Sequence, residues 1–269
     1  MSDDYDLESG PDPATIAASA PEPLDRDTRA NPSVYAVGIG PGNLEYLTPR
    51  AERAIRETDV VVGFATVVEF VADRTDADLL TCGYRDEADA LETFAERVAD
   101  GERGTAVLMG DPNHSGYQFV GKVQRVVDRS VRIVPGISSL QLAASRARTP
   151  MEDTEFVTLH KSGPVTAGLE RLARAVGDRH LLVLPRPFDL MPGDIAAFLL
   201  ERGGNPDLEA LVLEKLTHED ESIHRFSLAE LAERGGGDGR DDTPFSDLSV
   251  LAVRRTVSTG ENAPKEGEP

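Results

Sequence analysis

The residues of this chain whose types and spacing could do chemistry sit in three glycine-bearing turns. Val37-Gly38-Ile39-Gly40-Pro41-Gly42 leads from an apolar, strand-like run into a helical pattern. Gly110-Asp111-Pro112-Asn113-His114-Ser115-Gly116 follows the run Thr105 to Met109 and places a carboxylate, a rigid proline and two glycines at the carboxyl end of a strand. Val134-Pro135-Gly136-Ile137-Ser138-Ser139 ends a third run, and its two serines open a helix with hydroxyls and free backbone N–H groups. In open α/β sheets, ligands bind beyond the carboxyl ends of the strands. Three turns on one such edge would line a pocket made largely of backbone, suited to a small polar ligand that needs neither a metal nor a phosphate clamp. Taken singly, Ser138 or Ser139 reads as a helix N-cap. Asp111 reads either as a turn-capping carboxylate or as a ligand contact.

Better-known uses of such turns fail on spacing. A dinucleotide fingerprint starting at Gly38 and Gly40 needs a third glycine where Asn43 stands. A nucleoside triphosphate loop is absent too, because Gly121-Lys122 is followed by Val123 where that loop needs a serine or threonine. No Ser-His-Asp, Cys-His or metal-ligand spacing stands out, so no catalytic side chain is assigned and no metal is expected. Cys82 is the single cysteine. It excludes an internal disulfide and any multi-thiolate metal site.

The elements that must position these turns alternate along the chain. Strand-like runs at Val34 to Ile39, Val60 to Val62, Thr105 to Met109 and Val131 to Val134 are interleaved with helical patterns. Those patterns lie at Pro49 to Glu57, Val67 to Ala72, Ala88 to Ala99, Tyr117 to Val127 and Ser138 to Ala147. That order predicts an α/β fold with a mainly parallel sheet. From about residue 150 the texture shifts. Strands at Phe156 to Leu159, His180 to Leu184, Leu211 to Glu214, Ser222 to Phe226 and Leu248 to Val253, with helices at Val165 to Val176 and Pro192 to Arg202, predict a mixed second lobe. The expected organisation is a tail over 1–31, lobes over 32–149 and 150–255, and a tail over 256–269. Both tails lack any sustained period and read as disordered. Gly235 to Asp242 reads as a flexible surface insertion.

Composition sets the partners. With 48 Asp and Glu against 28 Lys and Arg, the net charge is −20, which argues against nucleic acid. No window is apolar enough for a membrane span, and the polar, acidic start is unlike a secretion signal, so a cytoplasmic protein is expected. A carboxylate-dense surface with only four lysines fits a high-salt cytoplasm, where screening makes self-repulsion tolerable.

The three turns, in this order and with Leu47-Thr48 after the first, resemble the tetrapyrrole methyltransferases, which use S-adenosylmethionine. The likeness spans about residues 33 to 255. It implies the two-lobed fold of that family, with the cofactor in the cleft between the lobes and a homodimer as the assembly. Within the family, Val61-Val62-Gly63, the run Ser138 to Ala143, Thr158-Leu159-His160 and Leu213 to Thr217 with Glu221-Ser222-Ile223 are most similar to the branch that methylates carbon 5 of a cobalt-precorrin in anaerobic cobalamin synthesis. Some proteins of that branch carry a second domain for carbon 15 and a decarboxylation. This chain ends before one, so the carbon-5 activity alone is expected.

By this resemblance the cofactor lies against Pro41, Gly110, Asp111, His114, Ser138 and Ser139, with Pro185 and Leu216 contributed by the second lobe. The carboxylates of a cobalt-precorrin need cations. Arg85, His160, Lys161 and Arg186 are the candidates, although each alone could be a surface group. Lys161 and Ser162 stand where the family often shows Gly and Arg. Alternatives are another member of the family, acting on uroporphyrinogen III or on diphthine, or a protein that binds S-adenosylmethionine without catalysis. The charge reading has a direct test: thermal melts should show a higher midpoint in molar salt than in dilute buffer, and an equal or lower midpoint would remove it.

Overall fold

The computed structural model of the chain describes residues 7, 9–19, 21, 32–114, 116–187, 189–236 and 242–256. Two five-stranded sheets organise them. The first contains β1 (Val34–Gly38), β2 (Val60–Phe64), β3 (Asp78–Cys82), β4 (Gly104–Leu108) and β5 (Val131–Val134) in the order β3-β2-β4-β1-β5. Every pairing in it is parallel. Val-rich runs suit this position because a parallel sheet is covered on both faces. Alternate residues go to opposite sides: Val34, Ala36, Val60, Val62, Ala106 and Leu108 join one core, and Val37, Val61 and Val107 the other.

Helices α2 (Pro49–Arg56) and α3 (Ala65–Val71) cover one face, while α4 (Glu87–Ala99) and α5 (Tyr117–Val126) cover the other. The chain therefore leaves β1 toward one face and leaves its neighbour β4 toward the opposite one. Adjacent strands whose connections part in this way open a crevice at their carboxyl ends. That crevice fixes where the first two glycine turns lie.

The second sheet contains β6 (Thr154–Thr158), β7 (His180–Leu184), β8 (Glu209–Glu214), β9 (Ser222–Ser227) and β10 (Ser249–Val253) in the order β6-β7-β10-β8-β9. Only β6 and β7 pair in parallel, so this sheet is mixed, as expected. One face packs against α7 (Thr166–Ala175), α8 (Pro192–Glu201) and α9 (Leu228–Ala232). The other face, Leu182, Leu211, Leu213, Val250 and Ala252, is covered by α6 (Ser139–Ala147), the helix that follows β5 of the first sheet. The small side chains of Ala143, Ala144 and Ala147 let this helix lie close on the strands.

Three elements depart from the sequence reading. The strand β3 was not expected, because at the sheet edge four of its five residues are not buried and no apolar run marks it. The short α9 was also not expected. At five residues it is too short to show a period, and its signal is the capping box of Ser227 and Glu230. Within the tail expected to lack structure, residues 13–18 form α1 (Pro13–Ala18), capped by Asp12, whose carboxylate accepts from the Thr15 amide at 2.7 Å. What anchors it is upstream: Gly10 and Pro11 are buried, and the Gln118 side-chain amide donates to the Pro11 carbonyl at 3.4 Å. Residues 237–241 of the glycine-rich insertion and 257–269 of the final tail lie outside the described residues. Among the described residues no helix is long and apolar enough to cross a membrane.

Cys82 is buried, and its thiol is pushed up to about 12, chiefly by desolvation with Glu87 adding to it, which makes it inert at neutral pH. His180 is buried at the start of β7, where its Nδ1 accepts from the Arg255 amide at 3.2 Å. Desolvation lowers its pKa below the ordinary 6.5, against the opposing pull of Asp153. Below about pH 6.5 the unfolded chain therefore binds a proton that the folded chain resists, and stability falls with acidification. In urea unfolding, His180→Gln should lose less stability than the parent between pH 7.5 and 5.5; equal losses would show that His180 does not carry the effect.

Candidate functional site

The three turns meet at the carboxyl edge of the first sheet. The backbones of Gly40 and Gly110 pair across the β1–β4 crevice, with the Gly110 amide donating to the Gly40 carbonyl at 2.8 Å and the return bond at 3.3 Å. No side chain separates them. A Cβ on Gly38 would sit 2.5 Å from the Gly110 carbonyl oxygen and 2.7 Å from the Gly136 amide nitrogen, and a Cβ on Gly136 would sit 2.2 Å from that same oxygen. Glycine is required at both positions because only bare backbone allows this approach. Gly110 differs. Its φ is +67°, and a Cβ there would meet only the Ser138 Cα, at 3.7 Å, so it faces a gap between the second and third turns.

Asp111 fastens two of the turns. It is 8% exposed, its Oδ1 accepts from the Asn113 amide at 2.8 Å, and its Oδ2 accepts from the Gly136 amide at 3.0 Å. No described lysine, arginine or histidine forms an ion pair with it, so its charge is held by backbone dipoles alone. Ser138 is the N-cap of α6: its Oγ accepts from the Leu140 amide at 3.2 Å, and its own amide donates to Gln141 Oε1 at 2.8 Å. Its hydroxyl is thus committed to the helix. Pro41 lies in the first turn and Pro185 just after β7, both buried, and Ser139, half-buried, is the first residue of α6.

The second lobe closes over the first turn through residues 215–218. Leu216 is buried against α6, Ile137 and Tyr46. Lys215 and Thr217 both adopt positive φ, +50° and +73°. For the β-branched threonine this is a strained conformation costing on the order of 1–3 kcal/mol. Glu221 holds it in place: Oε2 accepts from the Thr217 amide at 2.7 Å, while Oε1 pairs with Arg146 of α6 at 3.0 Å. Thr217 Oγ1 then accepts from the Asn43 amide at 3.2 Å, and His218 rests against Gly42. The sequence pattern missed this latch, since a non-glycine left-handed pair leaves no local signal.

The other side of the seam joins α5 to the loop after β6. His114 donates its amide to the Asp111 carbonyl at 3.0 Å and meets Phe156 edge-on, with ring centroids 5.5 Å apart. Its Nδ1 is buried without a hydrogen-bond partner among the described residues. Gln118 Oε1 accepts from the Ser162 amide at 3.2 Å. Of the four expected substrate contacts, three fall together. Arg186 donates to the carbonyls of Leu159, Lys161 and Gly163 and pairs with Asp189, so its guanidinium braces the loop that carries His160 and Lys161. Four of its five N–H donors are thus used within this chain. His160 is exposed, yet the protein crowded around its ring lowers its pKa through desolvation, against the field of Asp247. Arg85 stands apart from these, on the exposed turn after β3.

These turns and this two-sheet arrangement match known proteins. The model of the tetrapyrrole (corrin/porphyrin) methylases matches residues 33–232. The chain belongs to this family. As a tetrapyrrole methylase it is a methyltransferase, and the family's two-lobed α/β fold is the one described above. It is 33% identical over 201 residues to the probable cobalt-precorrin-7 C(5)-methyltransferase of Methanocaldococcus jannaschii, covering 74% of this chain and 91% of that protein. It is 25% identical over 242 residues to the uroporphyrinogen-III C-methyltransferase of Synechococcus elongatus, covering 81% and 91%. Among solved structures it is similar to the uroporphyrin-III C-methyltransferase of Thermus thermophilus complexed with S-adenosylhomocysteine. There the TM-score is 0.62 at 22% identity, covering 82% of this chain and 92% of that one.

The hydrogen bonds of Asp111 make it a structural clamp as well as a ligand candidate. Asp111→Ala should cost about 1–3 kcal/mol in urea unfolding, because two part-buried amide donors lose a charged acceptor. An unchanged midpoint would show that the turns hold without it.

Proposed function

We propose that this methylase transfers a methyl group from S-adenosylmethionine to carbon 5 of cobalt-precorrin-7, giving cobalt-precorrin-8. The likeness to the Methanocaldococcus jannaschii protein, extending over nearly the whole of that protein, is what supports the choice of substrate.

The residues present fit the cofactor. The gap beside Gly110 and Ser138 offers main-chain polar groups for a small polar ligand, and the buried Asp111 carboxylate would add a charge of the sign that favours a sulfonium cation. When bound, S-adenosylmethionine supplies an electrophilic methyl group, and the nucleophile is an electron-rich carbon of the macrocycle. What remains for the protein is alignment. Fixing both partners in reactive geometry can supply on the order of 7–11 kcal/mol, so no protein nucleophile is needed. In this reading Pro41 and the bridged Gly40 and Gly110 would floor the cofactor site, and Leu216 with Thr217, which bonds Asn43, would close it from the second lobe. His160 and Lys161 stand on the braced loop as contacts for substrate carboxylates.

A second reading, action on uroporphyrinogen III, is favoured by the similarity to the Synechococcus elongatus enzyme over 81% of this chain. Turnover with mass detection separates them. Cobalt-precorrin-7 should gain one methyl group with stoichiometric S-adenosylhomocysteine, and uroporphyrinogen III should not; the reverse pattern would replace the carbon-5 assignment, and no turnover of either would remove it.

A further inference from the structure

The two lobes touch on three sides of the site. At the β5 side α6 spans them, on the α3 side His218 meets Gly42 and Phe70, and on the α5 side Phe156 and Ser162 meet His114 and Gln118. Among the described residues no hydrogen bond, ion pair or ring contact joins residues 78–86, at the β3 end, to the second sheet. The fourth side thus carries no such bridge among the described residues.

An aromatic ladder stands at that side. Phe119, on α5 just beyond the second glycine turn, lies 5.7 Å from the ring of Phe64. Phe64 packs against the cores on both sheet faces, so it caps the carboxyl end of β2. Tyr84 lies on Phe64, with centroids 4.9 Å apart and planes at 52°, yet it remains 85% exposed. Its turn is fixed, since the Gly83 amide donates to Asp86 Oδ1 at 2.6 Å. Arg85 is exposed beside it at the same tip and has no acidic partner among the described residues. The two acids that follow are occupied: Asp86 by the Gly83 amide, and Glu87 by the buried Lys122 ammonium. On a chain of net charge −20, this tip presents an open aromatic face next to a guanidinium that forms no ion pair among the described residues.

We propose that Tyr84, seated on Phe64, is the landing platform for the flat face of the tetrapyrrole, and that Arg85 meets one of its peripheral carboxylates. An aromatic ring with an adjacent guanidinium suits a broad conjugated ring edged with carboxylates, and suits neither the small cofactor nor a nucleic acid on so acidic a protein. The pair would then decide which macrocycles are held. This inference rests on the tetrapyrrole reading of the substrate but not on the choice of carbon 5.

The test is binding of cobyrinic acid, a cobalt corrin with free carboxylates, followed by ultrafiltration on the full chain beside calorimetry of S-adenosylmethionine. Tyr84→Ala should weaken corrin binding roughly tenfold while Tyr84→Phe retains it. Arg85→Ala should weaken it and flatten its dependence on salt. Both alanine variants should keep the cofactor affinity, and because the side chains are exposed their melting points should stay within about 2 °C of the parent. Unchanged corrin binding in Tyr84→Ala, equal weakening of both ligands, or a parent protein that binds no corrin would overturn the proposal. Selective loss in Tyr84→Ala alongside a parent that leaves cobalt-precorrin-7 unmethylated would support the platform and remove only the carbon-5 assignment.

Discussion

The site depends on backbone approaching backbone at the ends of β4, β1 and β5. Gly38, Gly110 and Gly136 come within a distance that a single methyl group would abolish. Close-packed interiors do not absorb such an intrusion by small shifts. The Asp111 carboxylate supplies the complementary attraction, joining the amides of the second and third turns. A surface made of main-chain groups is rigid, because it has no rotamers to freeze when a ligand arrives. It is also indifferent to most side-chain changes around it, which is a physical reason why one set of turns can serve many substrates while other parts of the molecule choose among them.

The lobes are separate sheets but not separate folding problems. The face of the second sheet that carries Leu182, Leu211, Leu213, Val250 and Ala252 is covered by α6, which continues directly from the third glycine turn. The cap of that helix, Ser138, lies next to Gly110 of the second turn, so one residue links the meeting of the turns to interlobe packing. The latch at Thr217 adds a second link, since its strained backbone is held by Glu221, which is itself paired with Arg146 on the same helix.

Much of this was legible in the sequence because strong patterns carried it. Val-rich runs ending in glycine turns gave the parallel sheet and the edge on which the turns meet, and the N-cap reading of Ser138 matches its place at the start of α6. What escaped had weak local signals. The edge strand β3 is mostly exposed and shows no apolar period. The left-handed Lys215 and Thr217 are set by Glu221 and by contacts with the first lobe, which is tertiary context that outweighs residue preference. Arg186 illustrates the limit for charged residues: its type suggested a substrate contact, and only the geometry reveals three carbonyls of its own chain around the guanidinium. Tyr84 could not be singled out, because an exposed tyrosine gains meaning only from the ring beneath it and the side of the cleft it occupies.

The shared helix also sets where the chain tolerates change in length. Four residues, 135–138, connect β5 to α6, so the phase of the helix is inherited directly from the strand. One residue inserted early in α6 would turn every later side chain by about 100° and carry Ala143, Ala144 and Ala147 off the second sheet. Here length is locked, and the spacing between the third turn and those alanines fixes how the turns meet as firmly as any of the contacts between them.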